Sequence, residues 1–268
     1  MMNAIRPPAV AGMFYPASPA SLRIDVDRLL AAAPASTMTQ QPKALIVPHA
    51  GYVYSGPTAA RAYATLAPWR ATIRRVVLLG PTHRVPVRGL ALPASEAFAT
   101  PLGEVRVDAT ARAALAGLPQ VVVSETAHAQ EHSLEVHLPF LQRTLDDFSL
   151  LPLAVGQATP QAVAEVLERL WGGPETLLVI SSDLSHFLPY ATAQQVDDET
   201  SRHILELATD IDPHQACGAF PLNGLLLAAK RHGLQPSLLD LCNSGDTAGD
   251  RQRVVGYAAF AFHEADHG

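Results

Sequence analysis

Three histidines in this chain stand in the same kind of place. His49 follows the apolar run Ala44–Val47 and Pro48. His83 follows Arg75–Leu79 and the turn Gly80-Pro81-Thr82. His186 follows Thr176–Ile180 and the segment Ser181-Ser182-Asp183-Leu184-Ser185. Each run is short and rich in branched apolar residues, which reads as a buried strand. Each histidine therefore lies just past the carboxyl end of a strand. Taken singly, such a residue is most often a loop histidine that caps a helix or bonds a carbonyl. If the strands are parallel, all three gather along one sheet edge, where open α/β sheets bind ligands. Three independent core histidines have no reason to share that placement, so the recurrence favours a functional reading.

Other residues with chemical potential lie further along. The segment Glu131–Pro139 contains the pattern H-x-x-E-x-H between His132 and His137. It approaches the zinc-protease motifs but matches neither of their spacings. On a helix the two histidines point in different directions, so one can face a cleft while the other packs. Glu131 and Glu135 share a face at this spacing. A favourable helix dipole explains acidic residues in a first turn. Cys217 precedes the apolar helix expected over Leu222–Arg231. A cysteine there can have a lowered pKa and serve as ligand or nucleophile, although a lone cysteine is more often a small buried residue. Asp197, Asp198 and Glu199 read as a solvated helix face. Phe14-Tyr15 sits in an irregular arm and either lines a cleft or tacks that arm to the core.

The elements needed to hold these residues follow from periodicity. Helices are expected over 22–33, with Ser18 or Ser21 as cap, and over 57–67, 110–118 and 160–171. Pro57 suits a first helical turn. Further strands are expected at 89–92, 103–108, 121–123, 150–155, 238–241 and 254–262, and a polar loop over 34–42. Strands alternating with helices indicate an α/β fold with helices on both faces of the sheet. The 268 residues, 48% hydrophobic, suffice for a full core in one domain spanning 1–268. A formal charge of −6 and no basic cluster argue against nucleic acid as a partner. No apolar run approaches the ~18 residues of a membrane span. The N-terminus has no signal-peptide pattern. Two cysteines, Cys217 and Cys242, give no disulfide framework, and a cytoplasmic chain with free thiols is the simpler expectation.

Five blocks occur in order: P-H-A-G-Y at 48–52, G-P-T-H at 80–83, E-H-S-L-E-V-H-L-P at 131–139, S-S-D-L-S-H at 181–186 and C-G-x-x-P at 217–221. Together they resemble the Memo family, whose bacterial members are also called AmmeMemoRadiSam system protein B. The likeness runs from about Arg6 to Phe262. It implies a fold similar to class III extradiol dioxygenases, with a largely parallel or mixed central sheet. It implies a metal site carried onto His49, His83 and Cys217, with the catalytic candidates Asp183, His186 and His132 lining the same cleft: Asp183 to orient a histidine, His186 and His132 as acid–base groups. Extradiol dioxygenases hold iron with two histidines and a carboxylate; here a cysteine stands in the third position. Imidazole and thiolate suit iron or copper, and also zinc. The implied function is a redox or dioxygenase-like reaction on a small substrate. Two alternatives stand beside it: a module holding a peptide or phosphotyrosine in the same cleft, and a zinc-type hydrolase using metal-activated water. The family name also implies a functional link to a radical SAM protein.

Overall fold

The computed structural model describes residues 5–35 and 38–265; positions 36 and 37 of the expected 34–42 loop, and the chain ends 1–4 and 266–268, lie outside the described residues. Twelve strands and eight α-helices follow one another along these residues. A short β1 (Ile5–Arg6) precedes α1 (Pro19–Ala32), β2 (Ala44–Val47) and α2 (Tyr52–Ala64). Next come β3 (Arg75–Pro81), β4 (Leu90–Leu92), β5 (Ala97–Thr100), β6 (Gly103–Arg106), α3 (Ala109–Ala114), β7 (Val121–Val123) and α4 (Glu125–Ala129). The second half runs α5 (Leu138–Thr144), β8 (Ser149–Val155), α6 (Pro160–Arg169), β9 (Thr176–Ser181), β10 (His186–Leu188), α7 (Tyr190–Leu205), α8 (Ala219–His232), β11 (Leu234–Asn243) and β12 (Val254–Glu264).

The main sheet has the order β10-β12-β2-β9-β3-β8-β4-β7, with β11 also paired to β12. Its centre, β2-β9-β3-β8, is parallel, while β12 and β4 flank it antiparallel. Every residue of β2 and β9 is buried, as is all of β3 after Arg75. Burial of successive residues means that both sheet faces are covered, as parallel strands require. One cover is built from α1, α2 and α5, the other from α6 and α8, with α2 on β2 and β12 and α8 on β3 and β9. A single apolar core runs from Val10 to Phe262. A smaller sheet, β1-β5-β6, brings the N-terminal arm alongside the middle of the chain. The architecture is the expected mixed α/β sheet.

Register places the functional edge. Val47 lies opposite Ser181 and Leu79 opposite Ile180, so β2, β3 and β9 end level with one another. The three expected strand-then-histidine units are therefore parallel and adjacent.

Some local expectations are corrected. Helix α2 starts at Tyr52, so Pro57 lies inside it rather than at its first turn. The early start is fixed by Tyr52, whose N–H donates to Phe14 O and whose hydroxyl donates to Val136 O. His132 sits in an irregular turn before a short 3-10 segment over 135–137, not on a helix. Asp197 is buried, not solvated: it accepts the Ser185 N–H at 3.0 Å and packs against Gly256 of β12. Ser18 is the N-cap of α1, as its sequence position suggested.

Candidate metal centre

His49 leaves the end of β2 with its backbone N–H bonded to Asp183 Oδ1 at 2.7 Å. Its ring is fully buried, and Nδ1 lies 2.6 Å from Ser181 Oγ. The Ser181 hydroxyl donates to Ser133 O at 2.6 Å. Its oxygen is then the acceptor toward His49, so Nδ1 carries the proton and Nε2 keeps its lone pair.

His83 follows β3. Its backbone N–H donates to Glu131 Oε2 at 2.5 Å, and its Nδ1 lies 2.8 Å from Glu131 Oε1. Burial pushes the Glu131 carboxyl up, but bonds from His83 and from the His132 and Ser133 amides outweigh it and hold the group near about 2. An ionised carboxylate only accepts, so His83 Nδ1 donates to it and Nε2 is the ring nitrogen left for a ligand.

His132 completes the group. Its ring stacks on His83 at 4.7 Å and meets His49 edge-on at 5.5 Å, while His49 and His83 stand 5.2 Å apart. One ring nitrogen from each of His49, His83 and His132 lies within 4.8 Å of the others. Burial drives the His49 pKa well below its ordinary value, and the neighbouring histidines add to that shift. Burial takes His132 to about 4, with His83 acting in the same direction. Both shifts favour the neutral form of His49 and His132, the state in which imidazole ligates a metal.

The loop that carries Glu131 and His132 is braced from the N-terminal arm. Arg6, itself buried, donates to His128 O at 2.7 Å and to Glu131 O at 2.6 Å, and pairs with Glu135 at 2.7 Å. Glu135 also accepts the Ala9 and Val10 amides and the Tyr15 hydroxyl. Phe14 packs at 4.7 Å on His132. The adjacent aromatics thus do both things that their position allowed: Tyr15 tacks the arm and Phe14 touches the cleft.

Cys217 borders the histidines. Its Sγ lies 3.4 Å from His49 Nε2, outside the three-histidine group itself. The expected lowering of its pKa by the helix start is not what the surroundings do. Burial pushes the thiol far up, and the nearby Asp183 adds to the rise. Asp183 is buried, with Oδ2 4.0 Å from His49 Nε2. Burial raises its pKa to about 7 against the pull of the His49 N–H bond. His186, at the start of β10, is half-buried, and burial lowers its pKa. It also acts electrostatically on His49.

His49, His83, His132, Asp183 and Cys217, five of the six residues singled out in the sequence, are brought together, and His186 is linked to them only electrostatically, through its effect on His49. The grouping differs in detail: His132 joins His49 and His83, while Cys217 stands beside them. His137 turns away, its Nδ1 2.9 Å from Tyr63 Oη, so the two histidines of the H-x-x-E-x-H pattern do divide between cleft and core. Glu131, Ser181 and Arg6 carried no signal as site residues, because each acts on a partner far away in the chain.

Fold and site together define an α/β protein with a histidine group fit for a metal at the carboxyl edge of its sheet. The Memo-like protein family profile matches residues 6–261. A MEMO1 family protein of Sulfolobus acidocaldarius is 33% identical over 282 aligned positions, spanning 96% of this chain and 99% of its own length. Another from Aquifex aeolicus is 36% identical over 271 positions, spanning 96% and 99%. The chain belongs to the Memo family. An uncharacterized protein of Escherichia coli, known from its crystal structure, shares the fold at a TM-score of 0.52 and 15% identity, over 81% of this chain and 98% of that one. The architecture agrees with the class III extradiol dioxygenase-like fold expected from the resemblance. Among the described residues no helix is long and apolar enough to cross a membrane.

Proposed function

We propose that this chain is a metal-dependent oxidoreductase that binds iron or copper and acts on a small molecule. The observation that carries the reading is the convergence of His49, His83 and His132, with Nδ1 of His49 bonded to Ser181 and Nδ1 of His83 to Glu131. Histidine ligands in metal sites characteristically donate their other N–H to a carboxylate or oxygen acceptor, which fixes tautomer and orientation. The donor set fits: neutral imidazoles suit iron, copper and zinc, and a neighbouring thiol adds softness. A bound ion would supply redox chemistry and polarise a substrate oxygen.

The chain's own groups then do the following. Glu131 holds His83 in one tautomer. Ser181 does the same for His49. Cys217 stands within reach of a cation held at His49, and a coordinating thiol is deprotonated whatever its pKa without the ion. Asp183 Oδ2, on a carboxyl poised near about 7, gives up or takes a proton close to neutral pH. His186, kept neutral, accepts a proton at its ring nitrogen. Phe14 and the N-terminal arm shield His132 from water. We place the reaction in the cytoplasm, where the free thiols Cys217 and Cys242 stay reduced.

The test is anaerobic loading with Fe(II) or Cu(I), then oxygen uptake across a panel of small reductants including catechols. Metal-dependent uptake that His186→Ala reduces supports the reading. Stoichiometric metal with no turnover of any panel member would instead favour a binding module.

A further inference from the structure

Two short stretches, Val87-Arg88-Gly89 and Val155-Gly156-Gln157, are pressed together beside the histidines. Gln157 N–H donates to Val87 O at 2.9 Å, Gly89 N–H to Gln157 O at 2.9 Å, and Gly156 N–H to Gly89 O at 3.0 Å. Arg88 thereby faces Gln157 across an isolated parallel bridge. Only glycine permits this approach. A Cβ on residue 156 would stand 1.9 Å from Val87 O, and one on residue 89 would stand 2.1 Å from Gln120 O. The backbone at Arg88 is therefore pinned on both sides. Its side chain is exposed, and its guanidinium makes no hydrogen bond or ion pair with any described residue.

A cavity of about 530 Å³ opens at this point. Its walls mix apolar residues, Pro86, Val87 and Phe220 among them, with the polar Thr82 and Gln157, and Arg88 is the only one of the lining residues with a permanent charge. Cys217 lines the same cavity. Since Cys217 Sγ lies 3.4 Å from His49 Nε2, cavity and histidine group meet at that thiol. The volume falls in the range of small-molecule sites, about 300–1,000 Å³, which are mostly apolar with a few placed polar groups.

We infer that this cavity is the substrate subsite of the metal centre and takes a small, flat carboxylate. The acid group binds Arg88 and the apolar body lies against Phe220 and Pro86. The inference rests on the metal-centre reading above. A carboxylate is preferred to a phosphate because its single charge matches one guanidinium through paired N–H bonds. A phosphate monoester carries about −1.5 to −2 at neutral pH and would call for more cation than the walls offer. No acidic side chain lines the cavity to repel either end.

The probes are para-fluorobenzoate and its neutral counterpart para-fluorobenzamide, titrated into metal-free and metal-loaded protein and followed by fluorine NMR. The acid should bind in both states, at least about tenfold tighter than the amide. Arg88→Gln should weaken the acid by about tenfold or more, leave the amide unchanged, and leave metal content by elemental analysis unchanged. Equal binding of acid and amide, no binding of the acid, or undiminished acid binding by Arg88→Gln would overturn the subsite. Metal content is read separately. A chain that takes no metal yet shows the Arg88-dependent preference would sink the metal reading and keep the carboxylate site; stoichiometric metal without that preference would do the reverse.

Discussion

Glu131 is the residue on which the site turns. It takes two bonds from His83 and one each from the amides of His132 and Ser133, so one carboxylate orients the His83 ring and holds the backbone of the turn that carries His132. Glu131→Gln keeps an acceptor for the amides but loses the charge that fixes the His83 tautomer. We expect metal affinity to fall by roughly 10–100-fold, the usual cost of losing such a partner, with the fold retained. A chelator competition on wild type and variant measures this, and an unchanged affinity would show that His83 does not depend on the carboxylate. At this scale the sequence was legible for the histidines, because strand ends recur, and illegible for Glu131. Its neighbours in the chain invite a dipole explanation, and nothing local announces His83 on another loop. Ser181 was hidden in the same way inside S-S-D-L-S-H. His132 could be placed in the cleft but not among the rings, since the irregular turn that aims it has no periodicity to read.

At the scale of elements, units with an apolar run or a clear alternation were readable, down to the three residues of β4 and β7, and units without one were not. The strands β2, β3, β8 and β9 are continuous apolar runs and α1 has both cap and stripe, so pattern alone located them. Strands β1 (IR), β5 (AFAT) and β10 (HFL) carry neither a branched apolar run nor a polar alternation to mark them. Asp197 shows what such a short strand conceals. It lies on α7 among charged residues, yet β10 and β12 close over it, and burial raises its carboxyl to about 6. An unfolded Asp titrates near 3.9. Between these values the folded chain holds a proton that the unfolded chain has lost. Stability is therefore greatest below about pH 3.9 as far as this group is concerned, and declines as pH rises to about 6. Asp197→Asn keeps an acceptor for the Ser185 amide and cannot ionise, so its urea midpoint should exceed that of wild type at pH 7 and the difference should vanish near pH 4. A variant less stable than wild type at pH 7 would show that the carboxylate is ionised and well solvated there. Gly156 offers a second check. Gly156→Ala forces a Cβ against Val87 O and should cost on the order of 1–3 kcal/mol, the range for overpacking, seen as a lower melting temperature.

Across the whole molecule, the arm at the start of the chain is tied to the loop that carries the metal-facing residues more than a hundred positions later. Arg6 and Glu135 are both almost fully buried and meet at 2.7 Å. Removing one partner of such a pair leaves an uncompensated buried charge and typically costs about 3–5 kcal/mol. Arg6→Met should lower the melting temperature and also weaken metal binding, since the Arg6 bonds to His128 O and Glu131 O are lost with it. A variant that is less stable but binds metal as tightly as wild type would show that the arm serves the fold alone. The overall α/β plan was legible because alternation of strand and helix is a property of long stretches. The tie between Arg6 and Glu135 was not, because a buried pair this distant in sequence leaves no trace in either segment. The central claim is that His49, His83 and His132 hold one metal ion. Its most direct test is the metal content, by elemental analysis, of wild type and of the His49→Ala, His83→Ala and His132→Ala variants after anaerobic Fe(II) loading, with folding checked by circular dichroism. The account predicts stoichiometric iron in wild type and its loss from each folded variant. Full retention of iron by the three folded variants would contradict it.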